Sequence, residues 1–332
     1  MPCAHNHGYP ELNLGSNAAK WQKNLTQSRL DQFVEGRFAD INLSAVLYDA
    51  RVDDAEHVQL AVWSAPERTK PLFDEAMKQK FKPAKKGDSF GPSYWAKYPR
   101  VQFEFDPGCE AMIFEKDGTP LQGITGGGGG DRRVEYIIPR DAVKAGKHEF
   151  VIEMSCNGMF GIPWNGDIIM PPDMNRYFTL STADITVPNA EAWALRNDFD
   201  TLKQLSQTLP GNSVLQNAAL TAANEILNIF DRRDASTIGK ARKVAERVFG
   251  QGWEGKGAGI YDEGGKEASV LGIGHCHIDT AWLWPYHVTQ QKTARSWSTQ
   301  IDLMDRYPEH RFTCSSAQQY EWPENGPPLP AS

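Results

Sequence analysis

Residues 274–285 read GHCHIDTAWLWP and carry the side chains of this chain best suited to chemistry. In an extended segment alternate side chains share a face, so His275, His277 and Asp279 point one way while Cys276 and Ile278 point the other. Imidazole nitrogen and carboxylate oxygen are ordinary ligands for zinc and related divalent ions. Trp282 and Trp284 come directly after, with flat apolar faces of the kind that the C–H bonds of a pyranose cover.

More than one reading fits this spacing. His277 and Asp279 form an H-x-D pair. His275 and His277 form an H-x-H pair, the spacing used at the first strand of barrel amidohydrolases. A plainer reading makes the histidines hydrogen-bonded strand-end residues and the tryptophans packing groups. Spacing alone does not choose between them.

The flanking pattern predicts how the segment is held. Val270 to Ile273 read as a short buried strand that ends at Gly274. Thr280 can cap the next helix, and Pro285 suits the first turn of that helix. Ala294, Trp297, Ile301 and Met304 place one apolar face on it before it ends near Tyr307-Pro308, and Arg311 to Ser315 supply a second strand. Strand, crossover helix and strand make the opening unit of a parallel α/β sheet or barrel. Reactive groups in such barrels gather at the carboxyl ends of strands, where the H-x-D pair falls.

Upstream the texture differs. Trp21, Leu25, Leu30, Phe33 and Val34 predict a helix over 21–36, stopped by Gly36. Residues 57–187 alternate short apolar runs (VQLAVW, RVQFEF, EAMIFE, VEYIIP, HEFVIEMSC, RYFTLSTADITV) with turn formers, the signature of an antiparallel sandwich. Gly126–Gly130 lack the strand–glycine–helix context of a phosphate cradle and read as a hairpin loop. Residues 188–250 predict helices through Phe199, Leu202, Leu205 and Leu209, then Leu215, Ala219, Ala222, Ile226 and Ile229, then Thr237 to Phe249 capped by Gly250. GQGWEGKGAGIYDEGGKE is the best linker. The expected organisation is multidomain: an N-terminal helix and arm (1–56), a β-sandwich (57–187), a helical linker (188–265), the start of an α/β domain (266–322) and a proline-rich tail (323–332) that continues neither a helix nor a central strand.

The totals narrow the function classes. The 332 residues carry a net charge of −7, which gives no electrostatic reason to expect nucleic acid or an anionic membrane as partner. The N-terminus shows no apolar run of signal-peptide length, so cytosolic synthesis is expected. The five scattered cysteines form no CxxC pair and fit reduced thiols better than a disulfide framework.

GHCHIDTAWLWP resembles the metal-binding segment of the family 38 glycoside hydrolases, the class II α-mannosidases. NGMFGIPWNGDIIMPPDMNRYFTL, VPNAEAWALRNDFDTLKQL and SSAQQYEW are similar to segments of the vacuolar and cytosolic branch of that family, in its fungal form. The resemblance implies a truncated α/β barrel as the C-terminal part. It implies that His277 and Asp279 are zinc ligands (some cytosolic relatives prefer cobalt) and that Trp282 lines the sugar subsite. His275 falls outside that pair and is assigned a supporting role behind the ligands. The implied reaction is retaining hydrolysis of terminal α-mannose on oligomannose glycans, with one carboxylate as nucleophile and one as acid, then base. Members of this branch form homo-oligomers, and a vacuolar or a cytosolic location fits equally.

The family's nucleophile lies in a W-x-P-D-type motif, which these 332 residues do not contain. The expectation is therefore an α-mannosidase chain that lacks nucleophile and acid/base and is inactive alone. Two alternatives stand beside it: a non-catalytic module for glycan binding or oligomerisation, and an amidohydrolase-like fragment built on His275 and His277.

Overall fold

The structure is a computed structural model. It describes all residues except 1–22, 35–37, 55–56, 67–70, 85–99, 128–131, 162–163, 166–167, 170–177, 211–212, 256–271 and 326–332. The described helices are α1 (Lys23–Val34), α2 (Phe73–Met77), α3 (Arg140–Ala145), α4 (Ala190–Thr208), α5 (Val214–Ile229), α6 (Ser236–Phe249), α7 (Tyr286–Arg306) and α8 (Ala317–Asn325). The described strands begin with β1 (Tyr48–Val52), β2 (Ala61–Val62), β3 (Lys82–Pro83), β4 (Gln102–Asp106), β5 (Glu110–Phe114) and β6 (Pro120–Thr125). They continue with β7 (Glu135–Ile137), β8 (Val151–Met154), β9 (Trp164–Asn165), β10 (Ile168–Ile169), β11 (Thr182–Pro188), β12 (Gly274–His275) and β13 (Phe312–Thr313). The chain forms two compact units, Met1–Asp49 with Pro188–Gly264, and Ala50–Val187 with Gly265–Ser332.

The first unit is helical. Asn189 caps α4 by accepting from the Ala192 N–H at 3.1 Å, and Ser213 caps α5 by accepting from the Gln216 N–H at 3.1 Å. Gly250, at φ 87°, ends α6 in a conformation that side chains other than glycine's disfavour. Leu30, Phe33, Leu195, Phe199, Leu202, Leu220 and Ile226 are buried together, and the Phe33 ring meets Phe199 edge-on with centroids 4.7 Å apart. Leu25 and Leu215, expected on buried faces, are instead exposed. The buried stripe of α1 is Thr26, Leu30, Phe33 and Val34, so Leu25 lies one helical step, about 100°, off it. In α5 the stripe takes Gln216, Ala219, Leu220, Ala223 and Ile226.

The second unit contains the sandwich. A four-stranded sheet, β1-β11-β4-β7, and a three-stranded sheet, β6-β5-β8, contribute one core: Phe103, Phe105, Ile185 and Val187 from the first, Ala111, Ile113 and Ile124 from the second. Strand β4 pairs antiparallel with β11 and with β7, and β5 pairs antiparallel with β6 and with β8. The other face of β4 is polar. Glu104 pairs with Arg51 at 2.6 Å, and Arg51 also reaches Asp184.

Among the strands of the two sandwich sheets, β1 and β6 escaped the sequence pattern. Strand β6 comes after a tight turn at Asp117-Gly118, where Gly118 has φ 91° and the Thr119 N–H donates to the Asp117 carboxylate at 2.9 Å. The Gln122 amide of β6 donates to the Glu135 carbonyl of β7 at 2.7 Å, although the two strands belong to different sheets. Their antiparallel Thr125–Arg133 bridge closes the glycine run as the expected hairpin loop, of which residues 128–131 lie outside the described residues. Buried Asp106 anchors its start by accepting from the N–H groups of Gly108 (2.9 Å) and Gly127 (2.8 Å).

His148 gives this unit a pH dependence. Its Nε2 lies 3.0 Å from the Tyr136 hydroxyl, its ring stacks on Tyr136, and burial holds its pKa below the ordinary histidine value. The folded state thus binds fewer protons than the unfolded state between the lowered pKa and about 6.5. Stability is expected to fall as pH drops through that window and to level off below it. His148→Gln should flatten this part of the profile, measured by urea unfolding at a series of pH values.

The C-terminal part holds β12, α7, β13 and α8. Strands β12 and β13 pair in parallel, Gly274 opposite Phe312 and His275 opposite Thr313, with α7 as crossover. Here three expectations are corrected. Among the described residues the strand begins at Gly274, and Ile273, expected within a buried strand, is exposed outside it; residues 270 and 271 lie outside the described residues. Thr280 does not cap α7, whose N-cap is Pro285. Helix α8 runs past Pro323 to Asn325, so the proline does not end it.

The helix face is corrected as well. The buried residues of α7 are Val288 and the mainly polar set Thr289, Gln291, Lys292, Thr293, Arg295 and Thr299, while Ile301 and Met304 are exposed. Trp297 alone of the expected apolar set makes aromatic contacts, edge-on to Tyr320 at 4.4 Å and to Phe312 at 6.3 Å. Ridge periodicity located the helix, but the sandwich selected its polar side.

Candidate metal and sugar site

The loop between β12 and α7 brings His277 and Asp279 together. His277 Nε2 stands 3.1 Å from Asp279 Oδ1, and both side chains are open to solvent. Two ligands bound to one tetrahedral zinc at its usual bond lengths lie about 3.3 Å apart, so the pair already has the spacing of a shared ion. Among the described residues no group of three or more His, Cys, Asp or Glu side chains is gathered for a metal. The donor types therefore fit zinc, but the described residues supply only part of a tetrahedral set.

His275 stands apart from this pair. Its ring centroid is 6.4 Å from that of His277, on the same side of the segment, and its Nε2 lies 3.2 Å from the Ser315 hydroxyl at the end of β13. It contacts neither Asp279 nor the facing nitrogen of His277 in any hydrogen bond of the described residues.

Backbone anchors fix the loop. Gln319 of α8, fully buried, donates from Nε2 to the Ile278 carbonyl at 2.7 Å and accepts from the Cys314 thiol at 2.8 Å. Ile278 lies between the two candidate ligands, so Gln319 sets their separation. Thr289 of α7 donates to the Thr280 carbonyl at 2.5 Å and accepts from the Trp284 indole N–H at 2.9 Å. Neither residue was picked out from sequence. Gln319 sits inside SSAQQYEW, where only the helical register of α8 shows that its amide turns back toward the loop.

Trp282 is half exposed and packs edge-on against Trp284, centroids 5.6 Å apart at 89°. Its free face is available to a planar or pyranose ligand. Trp284 is held from behind by Lys292, whose Nζ lies 4.7 Å from the ring centroid.

Lys292 also ties the loop to the sandwich. Its Nζ pairs with Glu110 Oε2 at 2.6 Å and donates to the Met159 carbonyl at 2.7 Å, and Arg295 approaches the same carboxylate oxygen at 3.4 Å. Burial lowers the Lys292 pKa, with Glu110 opposing the shift. Backbone contacts accompany these charges. Gly161, at φ 80°, lies so close to the Leu283 carbonyl that a Cβ would overlap it, and a Cβ on Gly123 would fall 2.8 Å from the Arg295 carbonyl oxygen. The Gly123 N–H donates to Thr299 Oγ1 at 2.9 Å.

Residues 267–330 match the glycosyl hydrolases family 38 N-terminal domain, and residues 55–186 match the alpha-mannosidase jelly roll domain. The chain is thus similar to the family 38 α-mannosidases along both matched segments. It is 34% identical to an alpha-mannosidase of Saccharomyces cerevisiae over 90% of its own length and 30% of the relative's. It is 34% identical to alpha-mannosidase G of Dictyostelium discoideum (92% and 28%) and 33% identical to alpha-mannosidase 2C1 of Homo sapiens (90% and 28%). The chain thus spans under a third of the length of these relatives. No helix among the described residues is long and apolar enough to cross a membrane.

Proposed function

We propose that this chain supplies the first part of the sugar site of a zinc-dependent retaining α-mannosidase acting on terminal mannose of oligomannose glycans. The observation that carries the reading is the 3.1 Å approach of His277 and Asp279, three residues before the open face of Trp282, within the stretch that matches the family 38 domain. His277 and Asp279 hold the metal, and cobalt suits the same nitrogen and oxygen donors. When bound, such an ion supplies a Lewis-acid hold on vicinal hydroxyls. Trp282 offers its face to the sugar ring, while Gln319 and Thr289 keep the ligand-bearing backbone in place. The nucleophile and the acid/base are not among residues this chain contributes, since no W-x-P-D segment occurs in it.

Cobalt titration of the 332-residue protein, monitored by visible absorbance, tests the site. Binding is expected to be weak and to weaken at least 10-fold further in His277→Ala and in Asp279→Ala, the size of loss that removing a ligand from an already incomplete set brings. His275→Ala, which removes a ring bonded to Ser315 and to neither ligand, should leave it nearly unchanged. The opposite pattern, binding that needs His275 and ignores Asp279, would transfer the site to the H-x-H reading. The chain by itself is expected to show no turnover of an aryl α-mannoside; turnover that disappears in His277→Ala would disprove that division of labour.

A further inference from the structure

Strands β5 and β8 run antiparallel with Ala111 opposite Met154. The pairing continues one step beyond both strands, because the Ser155 N–H and the Ser155 hydroxyl both donate to the Glu110 carbonyl, at 2.9 and 2.8 Å. The next opposed pair is Cys109 and Cys156. The two lie just past the regular ladder, with Cys156 in a left-handed turn, and face each other across the end of the β5–β8 pair. Residues opposed in a regular antiparallel pair stand about 4.5–5.5 Å apart at Cα, within the roughly 4.4–6.8 Å that a disulfide accepts. The two thiols already touch through a side-chain hydrogen bond.

Their environments differ. Cys109 is buried and Cys156 is exposed. Cys156 has φ 49°, the only positive φ outside glycine among the described residues. Backbone held in that region stores strain and persists where surrounding structure imposes it.

We propose that Cys109 and Cys156 are a reversible disulfide site, open in reducing surroundings and closed by a low-molecular-weight disulfide such as oxidised glutathione. Exposed Cys156, as thiolate, attacks one sulfur of the oxidant, forming a mixed disulfide and releasing one glutathione, which takes up a proton. Cys109 then loses its proton to solvent, and its sulfur displaces the second glutathione from Cys156. Two protein thiols are oxidised and one glutathione disulfide is reduced to two thiols. The hydrogen bond to Cys156 and then burial raise the Cys109 pKa; burial persists once Cys156 is in the mixed disulfide, so this second step is the slow one.

A second pair of cysteines shows what sets this one apart. Cys276 and Cys314 come directly after the opposed residues His275 and Thr313, but the Cys314 thiol donates to Gln319 at 2.8 Å and Cys276 engages Ser296. Their sulfurs are turned to separate partners and are expected to stay reduced.

The bridge would fasten β5 to the turn that delivers the Met159 carbonyl to Lys292 and Gly161 to Leu283. It does not depend on the mannosidase reading. The purified chain is incubated with oxidised glutathione, quenched with an alkylating agent and mapped by mass spectrometry. The expected product is a Cys109–Cys156 cross-linked peptide with loss of two hydrogen atoms, reversed by dithiothreitol. Cys156→Ser should abolish it, and Cys109→Ser should trap glutathione on Cys156. Glutathione that stays on Cys156 in the wild-type chain, a link to any other cysteine, or no reaction of either thiol until urea unfolds the protein would each overturn the proposal.

Discussion

Glu110→Ala is expected to destabilise the sandwich-containing unit by about 3–5 kcal/mol, because it strands two buried cations. The Lys292, Arg295 and Glu110 side chains are each a tenth exposed or less, and one carboxylate oxygen serves both cations. Water does not reach this cluster well enough to replace the lost charge. Lys292 responds by giving up its proton more readily, a tendency its lowered pKa already shows. The intact pair is not thereby a large net gain, since bringing these charges out of water cost about as much as their attraction returned. The triple variant Glu110→Leu with Lys292→Met and Arg295→Met, which leaves no buried cation behind, is therefore expected to recover much of the loss. Urea unfolding, read by hydrogen exchange at β5 and α7, measures both. A loss below about 1 kcal/mol in Glu110→Ala would mean that solvent enters the cluster.

The second large effect is expected in the helical unit. Phe199→Ala should cost about 3–5 kcal/mol, through lost burial and the cavity left between α1, α4 and α5. Phe199 is fully buried against Phe33, whose ring in turn meets Phe230 at 5.2 Å, so the aromatic neighbour facing the cavity is itself held and has little freedom to collapse. Leu25→Ala, on the exposed surface of α1, should change stability by less than about 0.5 kcal/mol. Chemical denaturation of the two variants side by side checks the contrast, and similar losses in both would contradict the buried stripe assigned to α1.

The sandwich was legible in the sequence because its strands obey a period of two and its turns carry Asp-Gly, Pro-Gly and glycine signals. The helical unit was legible for the analogous reason at 3.6 residues. Leu25 and Leu215 mark the limit: apolar residues one step off a stripe look the same as those on it until a neighbour selects the buried side. Helix α7 fails more instructively. Its apolar residues form a face of their own, yet its polar face is the one buried, since Glu110 and the Met159 carbonyl satisfy Lys292 and Arg295 shares the same carboxylate. No periodicity rule weighs a lysine as a core residue, because it becomes one only when a carboxylate far away in sequence meets it. The site divides in the same way. The spacing offered His275, His277 and Asp279 alike, and the family resemblance singled out His277, Asp279 and Trp282 as candidates, whereas Gln319 and Thr289 act through backbone carbonyls and leave no mark in the motif.

The glycines at the foot of α7 bear on how the protein is made. Ribosomes deliver the sandwich strands before α7, and domains fold as they emerge. Glu110 is then a surface carboxylate, fully hydrated, on a sheet that awaits its cover. Gly123 and Gly161 leave two bare stretches of backbone beside it, shaped to receive the helix and its preceding loop at a single height. When Lys292 and Arg295 arrive, the finished sandwich acts as a mould: it sets where the tryptophan loop lands before any later part of the site exists to guide it.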